Sequence, residues 1–195
     1  MSEIEHTPAH NPTHSGLKVR KTIVMVGMMG AGKTAVGRAL AARLDVPFLD
    51  SDAEIESAAN MSIPEIFERD GEPFFRLKES QVIGRLLDEE RGVLSTGGGA
   101  FLSQDNRRMI SERGVAVWLK ADLDVLWQRV RHKDTRPLLR TENPRATLAG
   151  LYDARVPFYA EAGVAVASDG DASIEEMVDR VIEALQARPD VLGTE

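Results

Sequence analysis

Gly27-Met28-Met29-Gly30-Ala31-Gly32-Lys33-Thr34 fits G-x-x-x-x-G-K-[ST], the spacing of a phosphate-binding loop. Its flanks fit as well: an apolar, β-branched run at residues 22–26 precedes it, and a helical pattern at 35–44 follows. Glycines at 27, 30 and 32 let the backbone fold back and aim successive N–H groups at an anion lying on a helix N-terminus. In such a loop Lys33 reaches the β- and γ-phosphates of a nucleotide and the Thr34 hydroxyl holds Mg2+. The phosphate-contacting set is Gly30, Ala31, Gly32, Lys33, Thr34 and Ala35.

Working outward, residues 22–26 are apolar without alternation, as expected of a strand buried on both faces of a parallel sheet. A helical stripe of Val36, Ala39, Leu40 and Leu44 ends near Asp45 and Pro47. A second strand, 48–49, leads into Asp50-Ser51-Asp52. Ser51 with Glu54, and Ser62 with Glu65, have capping-box spacing, and Gly71 closes the second of these helices. A longer helix at about 73–88 turns Phe74, Leu77, Val82, Ile83, Leu86 and Leu87 inward, with Arg76 near its start. Strand 92–95 opens onto Thr96-Gly97-Gly98-Gly99-Ala100, too flexible a run to stand unless something fixes it. Helix 104–112, strand 115–119 and helix 123–130 follow. This βαβ alternation predicts right-handed crossovers and a parallel sheet with helices on both faces.

From 131 to 143 the pattern breaks into a charged segment interrupted by Pro137, a candidate lid. Asn143 caps a helix that starts at Pro144 and runs to about 154. A strand at 164–167 and a helix with the capping box Ser173-Ile174-Glu175-Glu176 complete the pattern. The expected boundaries are a flexible tail at 1–19, one domain at 20–190 with a substrate-binding region at about 51–80, and a frayed end at 191–195.

The 195 residues suit one α/β domain, and 43% hydrophobic with 28% charged residues is ordinary for a globular chain. With 31 acidic against 24 basic residues the net charge is −7, which gives no support to a nonspecific nucleic-acid or membrane role. Cysteine is absent, so disulfides, thiolate catalysis and Cys-ligated metals are excluded; a cytoplasmic location is compatible. No apolar run approaches the about 18 residues of a membrane span. His6, His10 and His14 have i, i+4 spacing, but Pro8 and Pro12 oppose a helix there. With no coiled-coil pattern or apolar surface stripe, a monomer is the expectation.

A phosphate loop leaves the chemistry open, and other residues narrow it. Asp50 and Asp52 lie at the carboxyl end of the strand beside the loop, where open α/β sheets bind ligands. Read as extended chain, their i, i+2 spacing points both carboxylates the same way, one toward Mg2+ and one toward an acceptor hydroxyl.

This ordered set of motifs resembles the shikimate kinase family over residues 21–188. It comprises the phosphate loop, Phe48-Leu49-Asp50-Ser51-Asp52, Phe75-Arg76, Leu94-Ser95-Thr96-Gly97-Gly98-Gly99-Ala100, Thr135-Arg136-Pro137-Leu138-Leu139 and Arg155-x-Pro-x-Tyr159. The resemblance implies a nucleoside-monophosphate-kinase-like fold: a five-stranded parallel sheet of order 2-3-1-4-5, flanked by helices, with a mobile lid. It implies phosphorylation of the 3-hydroxyl of shikimate by ATP with Mg2+, on the route to aromatic amino acids. It also implies that Lys33, Asp52 and Arg136 are catalytic and that Asp50 and Thr34 attend the metal. Arg129 and Arg136 join the loop in holding ATP; Asp52, Arg76, Gly97, Gly98, Gly99 and Arg155 hold shikimate. The residue chemistry agrees, because a guanidinium fork suits a planar carboxylate and glycines let a small ring approach the backbone. A gluconate kinase is the neighbouring alternative, opposed by Phe75-Arg76, the triple glycine and Arg155. A noncatalytic nucleotide-dependent regulator would have been free to lose the acceptor-site aspartate and arginines, and here all are present.

Overall fold

The computed structural model describes residues 16–89, 91–132 and 137–194. Thr22–Val26, every residue of it buried, forms β2 at the centre of a five-stranded parallel sheet. Numbering β1 as Leu17–Val19, the other strands are β3 (Phe48–Asp50), β4 (Val93–Ser95), β5 (Gly114–Ala121) and β6 (Val164–Ser168), in the order β3-β4-β2-β5-β6. Counted from β2 as the first strand, this is the expected 2-3-1-4-5.

The crossovers explain the layers. From β2 the chain steps over β4 to β3 through α1 (Lys33–Leu44), then returns to β4 through α2 (Ser51–Ala59), α3 (Ile63–Asp70) and α4 (Glu72–Glu89). It continues to β5 through α5 (Gln104–Arg113), and to β6 through α6 (Leu123–Val130) and α7 (Pro144–Tyr159). Right-handed crossovers in opposite directions lie on opposite faces. Accordingly α1 packs against α8 (Ile174–Gln186), and α4 packs against α5.

Register positions the functional loops. Met25 pairs with Ser95, and Ser95 pairs with Asp50, so the three carboxyl-terminal strand ends stand level. Two residues further on, Gly27, Gly97 and Asp52 leave the sheet side by side. The crevice they bound is where β2 and β3, neighbours in the chain, are separated by β4 in space.

Three expectations change. The inward stripe of α4 is Phe75, Ile83, Leu86 and Leu87 together with Glu79, while Phe74 and Leu77 are exposed. Adjacent Phe74 and Phe75 lie about 100° apart on a helix, and Phe75 shares the face of Ile83, Leu86 and Leu87. Next, α7 runs past residue 154 to Tyr159 with Pro157 inside it, so Arg155 and Tyr159 fall one turn apart on the same buried face. Finally, the two ends are not loose where described: Leu17–Val19 pairs antiparallel with β7 (Leu192–Thr194), and Val191 and Leu192 are buried.

Candidate active site

The phosphate loop closes on itself. Gly30 has φ 83°, and a Cβ there would stand 2.8 Å from Val130 Cγ1; Gly32, at φ 94°, is the N-cap of α1. Both a left-handed backbone and close packing therefore demand glycine at 30. The Ala31 N–H donates to the Met28 carbonyl at 3.1 Å. Lys33 Nζ donates to the carbonyls of Gly27 at 2.8 Å and Met28 at 3.1 Å, which holds the ammonium over the loop.

Two clefts meet at this end of the sheet. One, about 550 Å3, is lined by residues 29–36 of the loop and helix start, by Asp50, and by Arg129. The other, about 500 Å3, is lined by Phe67 and Phe75, by the charged groups of Arg76, Glu79 and Arg155, and by Gly99. Asp52, Gly97 and Gly98 line both, so the aspartate stands at the junction.

Asp50 and Asp52 do not lie in one extended segment. Asp50 is the N-cap of α2: its Oδ1 accepts the N–H of Asp52 at 2.9 Å and of Ala53 at 3.2 Å, the part sequence spacing gave to Ser51. Ser51 instead begins the helix, fully buried. Asp52 sits in the first turn, its Oδ1 enclosed and without a hydrogen-bond partner among the described residues. Burial, with the Asp50 charge next, raises the Asp52 carboxyl to about 6, against the opposing pull of Lys33 and Arg76. The other cap expectations hold at Ser62 with Glu65, Asn143, and Ser173 with Glu176.

Arg76 Nη1 donates to Glu79 Oε1 at 2.9 Å, and its Nη2 lies 3.4 Å from Glu72 Oε1. Glu79 is 1% exposed and its Oε2 has no partner among the described residues; burial raises its pKa despite Arg76. Arg155 is 7% exposed, and among the described residues no carboxylate forms an ion pair with it. A buried guanidinium in that state is able to take an anion as its partner.

The triple glycine fits between these groups. A Cβ on Gly97 would stand 2.9 Å from Asp52 Oδ1, one on Gly98 3.0 Å from Arg155 Nη1, and one on Gly99 2.6 Å from Arg76 Nη1. Three side chains hold the run itself: Thr96 Oγ1 donates to the Met25 carbonyl, Tyr159 Oη to the Gly98 carbonyl and Asn106 Nδ2 to the Ala100 carbonyl. Contacts with the rest of the fold, two of them from side chains outside the run, thus fix a segment that its own sequence leaves free.

Arg129, near the end of α6, donates to the Gly30 carbonyl at 3.0 Å and reaches the Asp169 carbonyl at 3.5 Å. It ties the loop to the turn after β6 and lines the first cleft, which Arg155 does not. Arg136 and the rest of residues 133–136 lie outside the described residues; beyond them Leu138, in a 3-10 turn, lines the second cleft. Glu79 and Asn106 went unread in the sequence, although Glu79 stands three residues after Arg76 and so on its helix face. Asn106 carries no comparable local signal.

Residues 29–186 match the family model described as Shikimate kinase. The chain is 73% identical over 98% of its length to a Ruegeria pomeroyi shikimate kinase, of which 98% is covered. It is 68% identical over 91% of its length to one from Cereibacter sphaeroides, covering 89% of that chain. Among solved structures it is similar to the shikimate kinase from Acinetobacter baumannii in complex with shikimate, with 37% identity, TM-score 0.82, and 86% and 94% of the two chains covered. A gluconokinase from Sinorhizobium meliloti, at 20% identity and TM-score 0.55 over 88% of this chain and 94% of its own, shares the fold alone.

Proposed function

The chain belongs to the shikimate kinase family, and on that premise we propose how its two clefts divide the family's reaction. The reaction transfers the γ-phosphoryl group of ATP to the 3-hydroxyl of shikimate, giving shikimate 3-phosphate and ADP on the route to chorismate and aromatic amino acids. The division rests on one observation: an enclosed, unpartnered carboxylate oxygen of Asp52 stands where the phosphate-loop cleft meets the cleft holding Arg76 and Arg155.

In the proposed arrangement Gly30, Ala31, Gly32, Lys33, Thr34 and Ala35 cradle the ATP phosphates, and Arg129 serves the base end. The shikimate carboxylate lies between Arg76 and Arg155, and the ring rests on the glycine run. Its 3-hydroxyl is then turned toward Asp52, which orients it and takes its proton as the phosphoryl group transfers. A loose transition state asks little of a base, so positioning is the larger share of that role. Lys33 from beneath and Arg136 from above stabilise the charge that gathers on the transferring oxygens.

Thr34 and Asp50 suit Mg2+. Asp50 Oδ1 is committed to two backbone N–H groups, which leaves Oδ2 outside those bonds, and Asp50 and Thr34 line the same cleft. Among the described residues no three carboxylate, histidine or cysteine side chains cluster as a metal cage. A sparse oxygen set of this kind fits an ion held mainly by water and substrate phosphates. The ion supplies charge neutralisation on the β- and γ-phosphates. The protein is proposed to work as a cytoplasmic monomer without nucleic-acid or membrane partners; among the described residues no helix is long and apolar enough to cross a membrane.

A coupled ADP-release assay offered shikimate and gluconate in parallel tests this reading. Shikimate-dependent turnover that collapses in Asp52→Ala is expected. ATP binding without turnover of shikimate would overturn it.

A further inference from the structure

We infer that Tyr159 is a positioning residue for shikimate, setting the Gly98 carbonyl and the Arg155 guanidinium with one hydroxyl group. The inference rests on the assignment of Arg155 to the substrate carboxylate.

Tyr159 is fully buried, and its Oη donates to the carbonyl of Gly98, the middle residue of the flexible run. Since the O–H is spent on that carbonyl, the remaining oxygen lone pairs are left to accept, and the Arg155 guanidinium hydrogen-bonds to the phenol oxygen. Arg155 lies one helical turn earlier on α7, with its Nη1 3.0 Å and Tyr159 Oη 3.8 Å from the position of a Cβ on Gly98. The guanidinium has no carboxylate partner to fix its direction among the described residues, so the phenol is the polar group placed to do so. The ring is itself held: its centroid lies 6.1 Å from that of Trp118, tilted by 33°. Trp118 Cδ1 in turn stands 3.5 Å from the position of a Cβ on Gly27. A packed line therefore runs from the first residue of the phosphate loop through Trp118 and Tyr159 to the anion-binding arginine. Phenylalanine would keep that line and lose only the hydroxyl.

Steady-state kinetics of Tyr159→Phe, Arg155→Lys and the double variant, with Mg-ATP and shikimate, decide the matter. Removing one neutral hydrogen bond at a site that binds a single substrate raises the KM for shikimate by about three- to tenfold. The KM for ATP should stay within about twofold. Because part of the effect of Tyr159 runs through Arg155, the double variant should lose less than the product of the two single losses. Equal rises in both KM values, or additive losses, would assign the hydroxyl to folding and overturn the inference. If wild-type protein turns over no shikimate, the functional reading fails instead; an unchanged shikimate KM in Arg155→Lys would remove the arginine's assignment and the inference with it.

A second measurement needs no substitution. The chain has two tyrosines, so fluorotyrosine labelling gives two 19F resonances. The Tyr159 signal should move on addition of shikimate and not of ADP; a signal indifferent to shikimate would also overturn the inference.

Discussion

The Asp52 carboxylate fills the space that a side chain at Gly97 would need, at the junction of the two clefts: a Cβ on Gly97 would stand 2.9 and 3.1 Å from the two carboxylate oxygens. The first distance is closer than such contacts occur, so Gly97→Ala must displace Asp52. Misplacing a reacting group by about 1 Å costs on the order of a hundredfold in rate. Steady-state assays should find that loss in kcat, with the KM for ATP nearly unchanged.

Gly99 makes the corresponding demand on Arg76. A Cβ at 99 would lie 2.6 Å from Nη1 and 2.7 Å from Cζ of that guanidinium. Gly99→Ala should drive Arg76 from its pair with Glu79 and raise the KM for shikimate by roughly tenfold or more. Titration of ATP binding alone should be unaffected. Gly98→Ala, whose Cβ is crowded by the end of Arg155 alone and meets Tyr159 Oη at an ordinary 3.8 Å, should show the same selectivity more mildly.

The raised Asp52 pKa gives activity and stability opposite pH dependences. Burial and Asp50 bring the carboxyl to about 6, so the native state keeps a proton that the unfolded chain has released. Its contribution to stability is complete below the unfolded value and is lost as pH rises through about 6. In the proposed mechanism the ionised form is the active one, so kcat/KM should fall about tenfold per unit below that point. Asp52→Asn should lose this acid limb with most of its activity. It should also melt a few degrees above wild type at pH about 8, a gain that disappears near pH 4.

Arg136 should affect the chemical step more than binding. Arg136→Ala is expected to lower kcat by about 10³-fold or more, with smaller changes in the Kd values for ATP and shikimate. Rapid-quench turnover together with equilibrium titration separates the two effects. Near-normal kcat would remove the proposed role.

What the sequence disclosed follows the range of the forces involved. The phosphate loop was legible because glycine spacing, a fully apolar strand and a helix start are local signals, and the same apolar run marked β2 as a strand buried on both faces. The helix caps at Ser62, Asn143 and Ser173 were legible for the same reason. Asp50 was harder: a capping aspartate and a strand-end aspartate look alike until the turn is built. Phe74 and Phe75 are adjacent, and only the phase of the remaining stripe says which is buried. The pairing of Leu17–Val19 with Leu192–Thr194 left no readable local trace, since the alternation of Leu17-Lys18-Val19 spans only three residues and Leu192-Gly193-Thr194 is as short. In the site, the arginines and glycines came from an ordered set of motifs. The groups that hold them, Glu79, Asn106 and the Tyr159 hydroxyl, depend on contacts between separate elements.

That terminal pairing has a consequence for the topology of the chain. Leu17 and Thr194 are register partners on neighbouring antiparallel strands, so a two-residue Asn-Gly turn between them would form an ordinary hairpin. The fold is therefore suited to cyclisation, and to circular permutation with new ends cut elsewhere on the surface. Opening such a permutant in the exposed Glu161-to-Gly163 turn would leave β3, β4 and β2, and the level line of Asp50, Ser95 and Met25, on one uninterrupted segment.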